Sequence, residues 1–547
     1  MTSPISRSRR LVAAAAALTA TALVITGCTS GGGDEDAPDT LYILSTDTTI
    51  GWDPATNVNF PSTWNGLIAR RLTTWKVTDS GVEVVPDLAT DTGTPSDDGT
   101  TWTYTLKDDI FFEDGTPITS ADIKYGIERS YSPDLAGGLH YHNAIIVGGS
   151  EYTGPFDGAE LEGIETPDDT TIVFHLTTAY GDWPWIAATN PFAPVPVGEG
   201  TDLAAYDEDP VASGPYQIDS NVAGSETVLV RNEYWKQETD EVRTAQPDTI
   251  VIRQSQNPST TAQALISDTG DAATSINAYP LSASELALVN ADPAAQERLV
   301  TSDGGVLYYV ALNNDSEELS NPLVRQAVHY ATDRNAIVLA QGGDQAAVAA
   351  TTLIPDGIAG HEDFDLYPED VDKAKELLAE AGYPDGVTLD LWVANEDTAA
   401  AEALQQGLAR ADITVNINPL DIGVMYGDAM GGNPDYDMML TYWIGDYPSA
   451  NAYVSLMFDS SYIDGGYNLS RTNDPSVDTA LHEAIAETDP DTAAADWTAI
   501  DKQIMGLGSM LPLYLTRNSY LAGSDVEPFA VPAYPPYPDF TTLSLAG

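Results

Sequence analysis

The stretch YDMMLTYWIGDYPSANAYVSLMF, Tyr436 to Phe458, decides how the second half of the chain is built. Met438, Met439 and Leu440 form a short apolar run that reads as a buried strand. Gly445 breaks it, and an apolar segment from Ala452 to Phe458 resumes as a helix. Asp446 stands at the break, between Trp443 and Tyr447. A carboxylate where a buried strand ends, among aromatics, suits gripping a cationic group out of water. The same residue equally suits capping the following helix or serving a turn.

Working outward, VTLDLWVA at Val387–Ala394 and ITVNINPL at Ile413–Leu420 read as strands, with a helix near Ala399 to Ala409 between them. This alternation of strand and helix argues for an α/β lobe. Upstream, Asn321-Pro322 starts a helix with proline at its first position, carrying Leu323, Val324, Ala327, Val328 and Ala331 on one face. Glu369 to Ala381 is a second amphipathic helix, stopped by Gly382 and Pro384. Gly305 to Leu312 reads as a strand. Toward the N-terminus, Thr101 to Leu106 alternates like a hairpin strand after an Asp98-Gly99 turn. Thr119 caps a helix with Asp122 three residues on. SGPYQIDS and ETVLVRNEYW form a second hairpin, and Leu41 to Ser45 a short apolar strand.

With 547 residues the chain is long enough for two or three domains. Its 83 acids against 22 bases give a formal net charge of -61. Such a surface repels phosphates, which leaves nucleic-acid binding without an electrostatic basis. It reads as a solvated coat in preference to a site for a basic partner. Cys28 is the single cysteine, which excludes an intrachain disulfide and any Cys-based zinc cluster.

Arg7, Arg9 and Arg10 form a basic head, and Leu11 to Ile25 an apolar segment too short for a comfortable membrane span. Val24-Ile25-Thr26-Gly27-Cys28 then resembles a bacterial lipobox, which makes residues 1–27 a leader and Cys28 the lipidated residue. An ordinary secretory leader with a chance cysteine is the plainer alternative, and Ser8-Arg9-Arg10 hints at a twin-arginine route. Residues 28–39 read as a flexible Gly- and acid-rich tether.

Several segments resemble, in order, the solute-binding lipoproteins of peptide-type ABC importers, the extracellular solute-binding family 5. They are PDLA at Pro86–Ala89, SDDGTTWTYTLKDDIFFEDGTPITSADIKYGIER at Ser96–Arg129, SGPYQI at Ser213–Ile218 and NEYW at Asn232–Trp235. LNNDSEELSNPLVRQAVHYATDRNAIV at Leu312–Val338, AKELLAEAGYPDG at Ala374–Gly386 and YDMMLTYWIGDYP at Tyr436–Pro448 complete the set. The resemblance implies an α/β fold of type II periplasmic-binding-protein kind, two lobes closing on a solute, with an extra subdomain in lobe I. Lobe I would comprise 40–80, 206–305 and 515–547, the extra subdomain 81–205, and lobe II 306–514. The hinge crossings would fall near Gly305–Val310 and Pro512–Thr516.

The resemblance further implies a monomeric receptor, tethered to the outer face of the bacterial cell membrane. It would capture peptides and hand them to an ABC permease whose partner ATPases supply the energy. In peptide-binding relatives an Asp at the place of Asp446 pairs with the ligand's α-ammonium. Some carry an arginine six residues earlier, where this chain has Leu440. By position, Asn59 and Phe60 would pair with peptide backbone. Ser275 and Asn277 would face the cleft from a loop, and Tyr309 and Trp443 would contact the solute from strands. For Tyr309 and Trp443 the plain alternative is core packing, and for the other four an ordinary loop.

His140-Tyr141-His142 places two imidazoles close together, but without a third ligand and in a Gly-rich segment. It reads as a solvated loop, and no metal or other cofactor is assigned. HExxH, GxSxG, Walker and CxxC motifs are absent, so no enzyme activity is assigned. An oligosaccharide-binding relative is the alternative within the family, with tryptophans stacking on sugar rings. An extracellular hydrolase on the same lobes is the alternative outside it, and it would need an acid/base pair with shifted pKa values in the cleft.

Overall fold

The computed structural model describes residues 40–78, 81–135, 137–431 and 434–546. The lipobox, the leader and the tether lie outside the described residues.

Three larger sheets organise the chain. The first has five strands, in the order Ser275–Asn277, Thr40–Leu44, Thr249–Arg253, Glu226–Arg231, Tyr216–Val222. Thr40–Leu44 lies between two parallel neighbours, and the hairpin continues the sheet antiparallel. The helix Pro258–Ser267 makes the crossover between the parallel strands, and the Asn257 side chain caps it by accepting from Thr260 N–H at 3.1 Å.

A four-stranded antiparallel sheet, Thr94–Pro95, Thr101–Thr105, Thr171–His175, Ile164–Asp168, carries the extra subdomain. Its inward residues Trp102, Tyr104, Ile172 and Phe174 are buried, as period-two alternation requires. The adjoining helix Ser120–Arg129 begins where Asp122 accepts from the Thr119 backbone N–H at 2.9 Å and hydroxyl at 2.7 Å.

The third sheet has six strands, ordered Ala347–Ala349, Met510–Thr516, Leu307–Leu312, Met438–Trp443, Val387–Ala394, Ile413–Leu420. The last three are mutually parallel and are joined by the helices Thr398–Ala409 and Ile422–Met430. Leu389, Leu391, Leu404, Leu408 and Met438 fill one face and are fully buried or nearly so.

The chain enters this sheet along Leu307–Leu312 and leaves along Met510–Thr516, its antiparallel neighbour. Just outside, Leu299–Thr301 pairs with Ser519–Leu521. Thr516 binds both ways across this junction: its N–H donates to Val306 O at 3.0 Å and its Oγ1 accepts from Val306 N–H at 3.1 Å. Gly305 is needed here, because a Cβ would stand 2.6 Å from Thr516 Oγ1. Two α/β lobes and an added subdomain, linked by side-by-side strands, make the clamp.

Candidate functional site

Asp446 is held by its neighbours in sequence. The strand Met438–Trp443 is buried at the centre of the third sheet, which fixes where the following turn begins. The Tyr534 hydroxyl donates to Gly445 O and pins the turn from the other lobe's C-terminal segment. Ser449 then caps the helix Ala450–Phe458, its Oγ accepting from Asn451 N–H at 3.2 Å. The helix-cap reading of Asp446 is therefore overturned: a nearer hydroxyl does that work, and the carboxylate is left pointing elsewhere.

It points to Tyr141, whose hydroxyl donates to Asp446 Oδ2 across 305 positions of sequence. Desolvation raises the Asp446 pKa above the ordinary carboxylate value, and the Tyr141 hydrogen bond holds part of that rise back. The Tyr141 phenol is pushed well up, by burial first and then by the Asp446 charge, so it stays a donor.

Asp446 forms part of the wall of two cavities. The larger, about 950 Å³, lies between residues 138–145 and 177–180 of the subdomain and residues 446–462 and 482–486 of the second lobe. The smaller, about 410 Å³, lies between Asp446 and first-lobe residues that include Asn59, Phe60, Tyr279 and Phe540. Both fall within the size range of small-molecule sites. Across the larger cavity the Tyr141 and Tyr447 rings meet edge to face with centroids 5.6 Å apart. The Tyr447 and Tyr180 hydroxyls are 3.0 Å apart, and Asn451 Nδ2 donates to each at 3.1 Å.

The same seam carries backbone contact. Gly181 N–H donates to Ile485 O at 2.7 Å, and a Cβ on residue 181 would lie 1.7 Å from Glu487 O. Ser449 Oγ donates to Asp182 Oδ2 at 2.6 Å. At the cavity's far side Asp459 Oδ2 meets His482 Nε2 at 2.7 Å, while Oδ1 accepts from the Ser461 N–H and hydroxyl at 2.8 and 2.6 Å. Burial pushes the Asp459 pKa up, but these hydrogen bonds outweigh it and leave the value below ordinary. Among the described residues lining the two cavities there is no lysine and no arginine.

Of the seven positions expected to touch a ligand, Asp446, Asn59 and Phe60 come together on the smaller cavity. Asn59 does not offer its backbone, however. Its N–H donates to Asn57 Oδ1 at 2.7 Å and its carbonyl accepts from Asn190 Nδ2 at 2.9 Å. At Asn59 the expected strand-like pairing with a peptide is thus already taken up internally, and the Phe60 carbonyl accepts from Thr63 N–H at 3.0 Å.

The loop expected at Ser275 and Asn277 is an edge strand, and both side chains are buried. Asn277 Oδ1 accepts from Leu521 N–H at 2.7 Å and its Nδ2 donates to Tyr279 O, while Ser275 Oγ donates to Asp271 O at 2.5 Å. Tyr309 is buried in the core. Trp443 is half-buried, donates Nε1 to Ala452 O at 2.8 Å, and packs on Tyr467. None of these four lines either cavity. Leu440 is buried in the lobe core beside Val310.

The solvated loop expected at His140-Tyr141-His142 is corrected as well. Tyr141–Ile145 is a short helix, and His142 is fully buried with Nε2 2.7 Å from Ser130 Oγ. Burial lowers the His142 pKa to about 3, so the ring is neutral. No group of three or more His, Cys, Asp or Glu suited to a metal occurs among the described residues. Nor is any described helix long and apolar enough to cross a membrane. Tyr180, Asp459 and His482 are cavity residues that the sequence does not mark, and Tyr141 lies in the His140-Tyr141-His142 segment, which the sequence marks only for its imidazoles.

A family model described as bacterial extracellular solute-binding proteins, family 5 Middle, matches residues 83–465. The glutathione-binding protein GsiB of Salmonella paratyphi A is 28% identical over 409 residues, covering 73% of this chain and 74% of that one. Among solved structures, clavulanic acid biosynthesis oligopeptide binding protein 2 superposes with a TM-score of 0.83 at 28% identity, covering 93% of this chain and 96% of its own. The unliganded open form of the murein tripeptide binding protein MppA gives 0.77 at 20% identity, covering 93% and 97%, which bears on the fold alone.

Proposed function

The chain belongs to family 5 of the bacterial extracellular solute-binding proteins, and on that footing we propose that it is a lipid-anchored receptor that captures short peptides outside the cell and delivers them to an ABC permease. The family is one of solute-binding components of importers, and no catalytic step enters this reading. Cys28 carries the anchor, residues 28–39 the tether, and the permease with its ATPases supplies the energy. Lobe I takes 40–80, 206–305 and 515–547, the extra subdomain 81–205 and lobe II 306–514, with the paired strands through Val306 and Thr516 as the hinge.

One observation carries the reading. Asp446 is a half-buried carboxylate on the wall between two lobes, and among the described residues it has one tyrosine hydroxyl as its hydrogen-bond partner and no ion pair. A peptide α-ammonium placed there supplies the missing positive charge and replaces the water that both groups give up. The names of the relatives at 28% identity, a glutathione binder and an oligopeptide binder, point to the same class of ligand.

The hydrolase alternative has a counterpart in the cleft, because Asp446 and Asp459 are shifted in opposite directions. Asp459 already accepts from Ser461 at one oxygen and meets His482 at the other, which makes Asp446 the less committed acceptor, although each Asp459 oxygen keeps a second lone pair. Capture, not cleavage, fits that asymmetry. Calorimetric titration with a free-amine tripeptide and its N-acetyl form tests the proposal. Binding of the first and loss of binding by the second are expected. Equal binding of both, or recovery of the purified protein with a neutral sugar, sinks it.

A further inference from the structure

The charge of the cleft is one-sided. Asp446 and Asp459 line the larger cavity and Asp47 the smaller, and neither cavity has a lysine or arginine among its described lining residues. Two buried acids elsewhere are answered by arginine, Asp53 by Arg129 at 2.9 Å and Asp87 by Arg70 at 2.7 Å and Arg243 at 3.0 Å, while others such as Asp501 are held by backbone N–H groups. In the cleft, among the described residues, Asp446 receives only the Tyr141 hydroxyl.

The basic groups that do face the larger cavity are imidazoles. His482 is spoken for by Asp459, and burial lowers the His140 pKa, which leaves His140 a weak partner for an anion. The remaining walls mix aliphatic side chains, such as Leu139, Ile145, Leu456 and Ile485, with the phenols of Tyr141, Tyr180, Tyr447 and Tyr462, whose ring faces attract cations and which carry no positive charge. A formal net charge of -61 on the whole chain adds a field of the same sign.

We infer that the cleft selects peptides of net positive charge, with a second cationic group besides the α-amine and no need for a free carboxylate, and that it discriminates against anionic peptides such as glutathione. This rests on the peptide-capture reading and adds to it the charge class of the ligand. The α-ammonium sits at Asp446, and the second cation lies toward Asp459 and the tyrosine wall. A ligand carboxylate has no ion partner and loses its hydration without compensation.

The test is calorimetric titration of the purified protein with Ala-Lys-Ala amide, Ala-Ala-Ala and glutathione, at low and high salt. The amide is expected to bind about tenfold or more tighter than Ala-Ala-Ala, and glutathione weakest. The gaps should narrow as salt rises. Equal affinities, or tighter binding of glutathione, overturn the inference while leaving peptide capture standing. No binding by any of the three removes peptide capture and the inference with it.

Asp459→Asn should shrink the preference for the amide. Because Asp459 also caps the turn Ser460–Tyr462, a second variant guards against a folding defect. Ala144→Arg puts a cation on an exposed helix position of the cavity wall, and it should improve glutathione binding at the expense of the amide. An unchanged ranking in both variants overturns the inference.

Discussion

Tyr141 and Asp446 meet across the cleft, the phenol of the extra subdomain donating to the carboxylate of the second lobe. The contact ties the two sides together and leaves the other carboxylate oxygen for a ligand. Asp446→Ala should therefore cost binding of a free-amine tripeptide roughly 2–5 kcal/mol, the range for truncating one partner of a desolvated charge pair. Fold stability should change little, since Ser449 caps the helix. N-acetylation should damage binding by the wild type and add little further damage in the mutant. A mutant that binds the free-amine peptide normally removes Asp446 from the site.

The same pair predicts a pH dependence. An ammonium is held by ionised Asp446, whose pKa in the protein is raised by desolvation. Affinity should be full well above that raised value and be lost as pH falls through it, at a higher pH than an ordinary carboxylate would give. Tyr141→Phe removes the hydrogen bond that favours the charged form, so the acid limb of a binding-versus-pH curve should move upward. An unmoved limb, or a downward shift, contradicts the assignment.

Gly181 predicts what closure needs. A side chain there would strike Glu487 O, so Gly181→Ala should push the subdomain off the second lobe. By small-angle scattering with saturating Ala-Lys-Ala amide, the wild type should be compact and raised in melting temperature by mass action. The variant should stay more extended and bind more weakly. Identical radii for the two proteins under saturation count against the clamp.

Asn277 separates structure from binding. It accepts from Leu521 N–H and donates to Tyr279 O inside the protein. Asn277→Ala leaves a buried donor unpaired and should cost about 1–3 kcal/mol in denaturant unfolding. Peptide affinity of the folded variant should stay within about threefold of wild type, as for a residue that lines neither cavity. A large loss of affinity with normal stability reinstates it as a contact.

Cys28 carries the membrane prediction. Cys28→Ser should release the protein into the medium or leave it unprocessed, as read by fractionation and mass spectrometry of the N-terminus. Wild-type protein found free of membranes with an unmodified thiol rejects the anchor.

The α/β lobe was legible because its signals are local. Val387–Ala394 alternates, the helix Thr398–Ala409 presents Leu404 and Leu408 to it, and Asn321-Pro322 announces a helix start. Asp446 was legible as a strand-end carboxylate, though not its partner. Tyr141 lies 305 positions away, and nothing near it marks it as a cleft residue. Ser275 and Asn277 misled because short polar segments resemble loops. The bond that locks Asn277 comes from the backbone N–H of Leu521, 244 positions away, which composition does not reveal, while Ser275 bonds back to Asp271 O four residues earlier. From the sequence His142 reads as a surface residue, because the pocket that buries it is made by the distant Phe192 together with Ser130 and Tyr131.

The backbone contact between Gly181 and Ile485 also bears on speed. With the subdomain seated on the second lobe at that seam, widening the mouth of the larger cavity for a bound peptide to leave would mean parting the two sides. Escape should then be timed by that parting and not by the strength of the grip on the ligand. In stopped-flow mixing, peptides of very different affinity would share one ceiling rate at high concentration. The receptor would work as a timer, holding its cargo for an interval set by its own seam until a permease pries it apart.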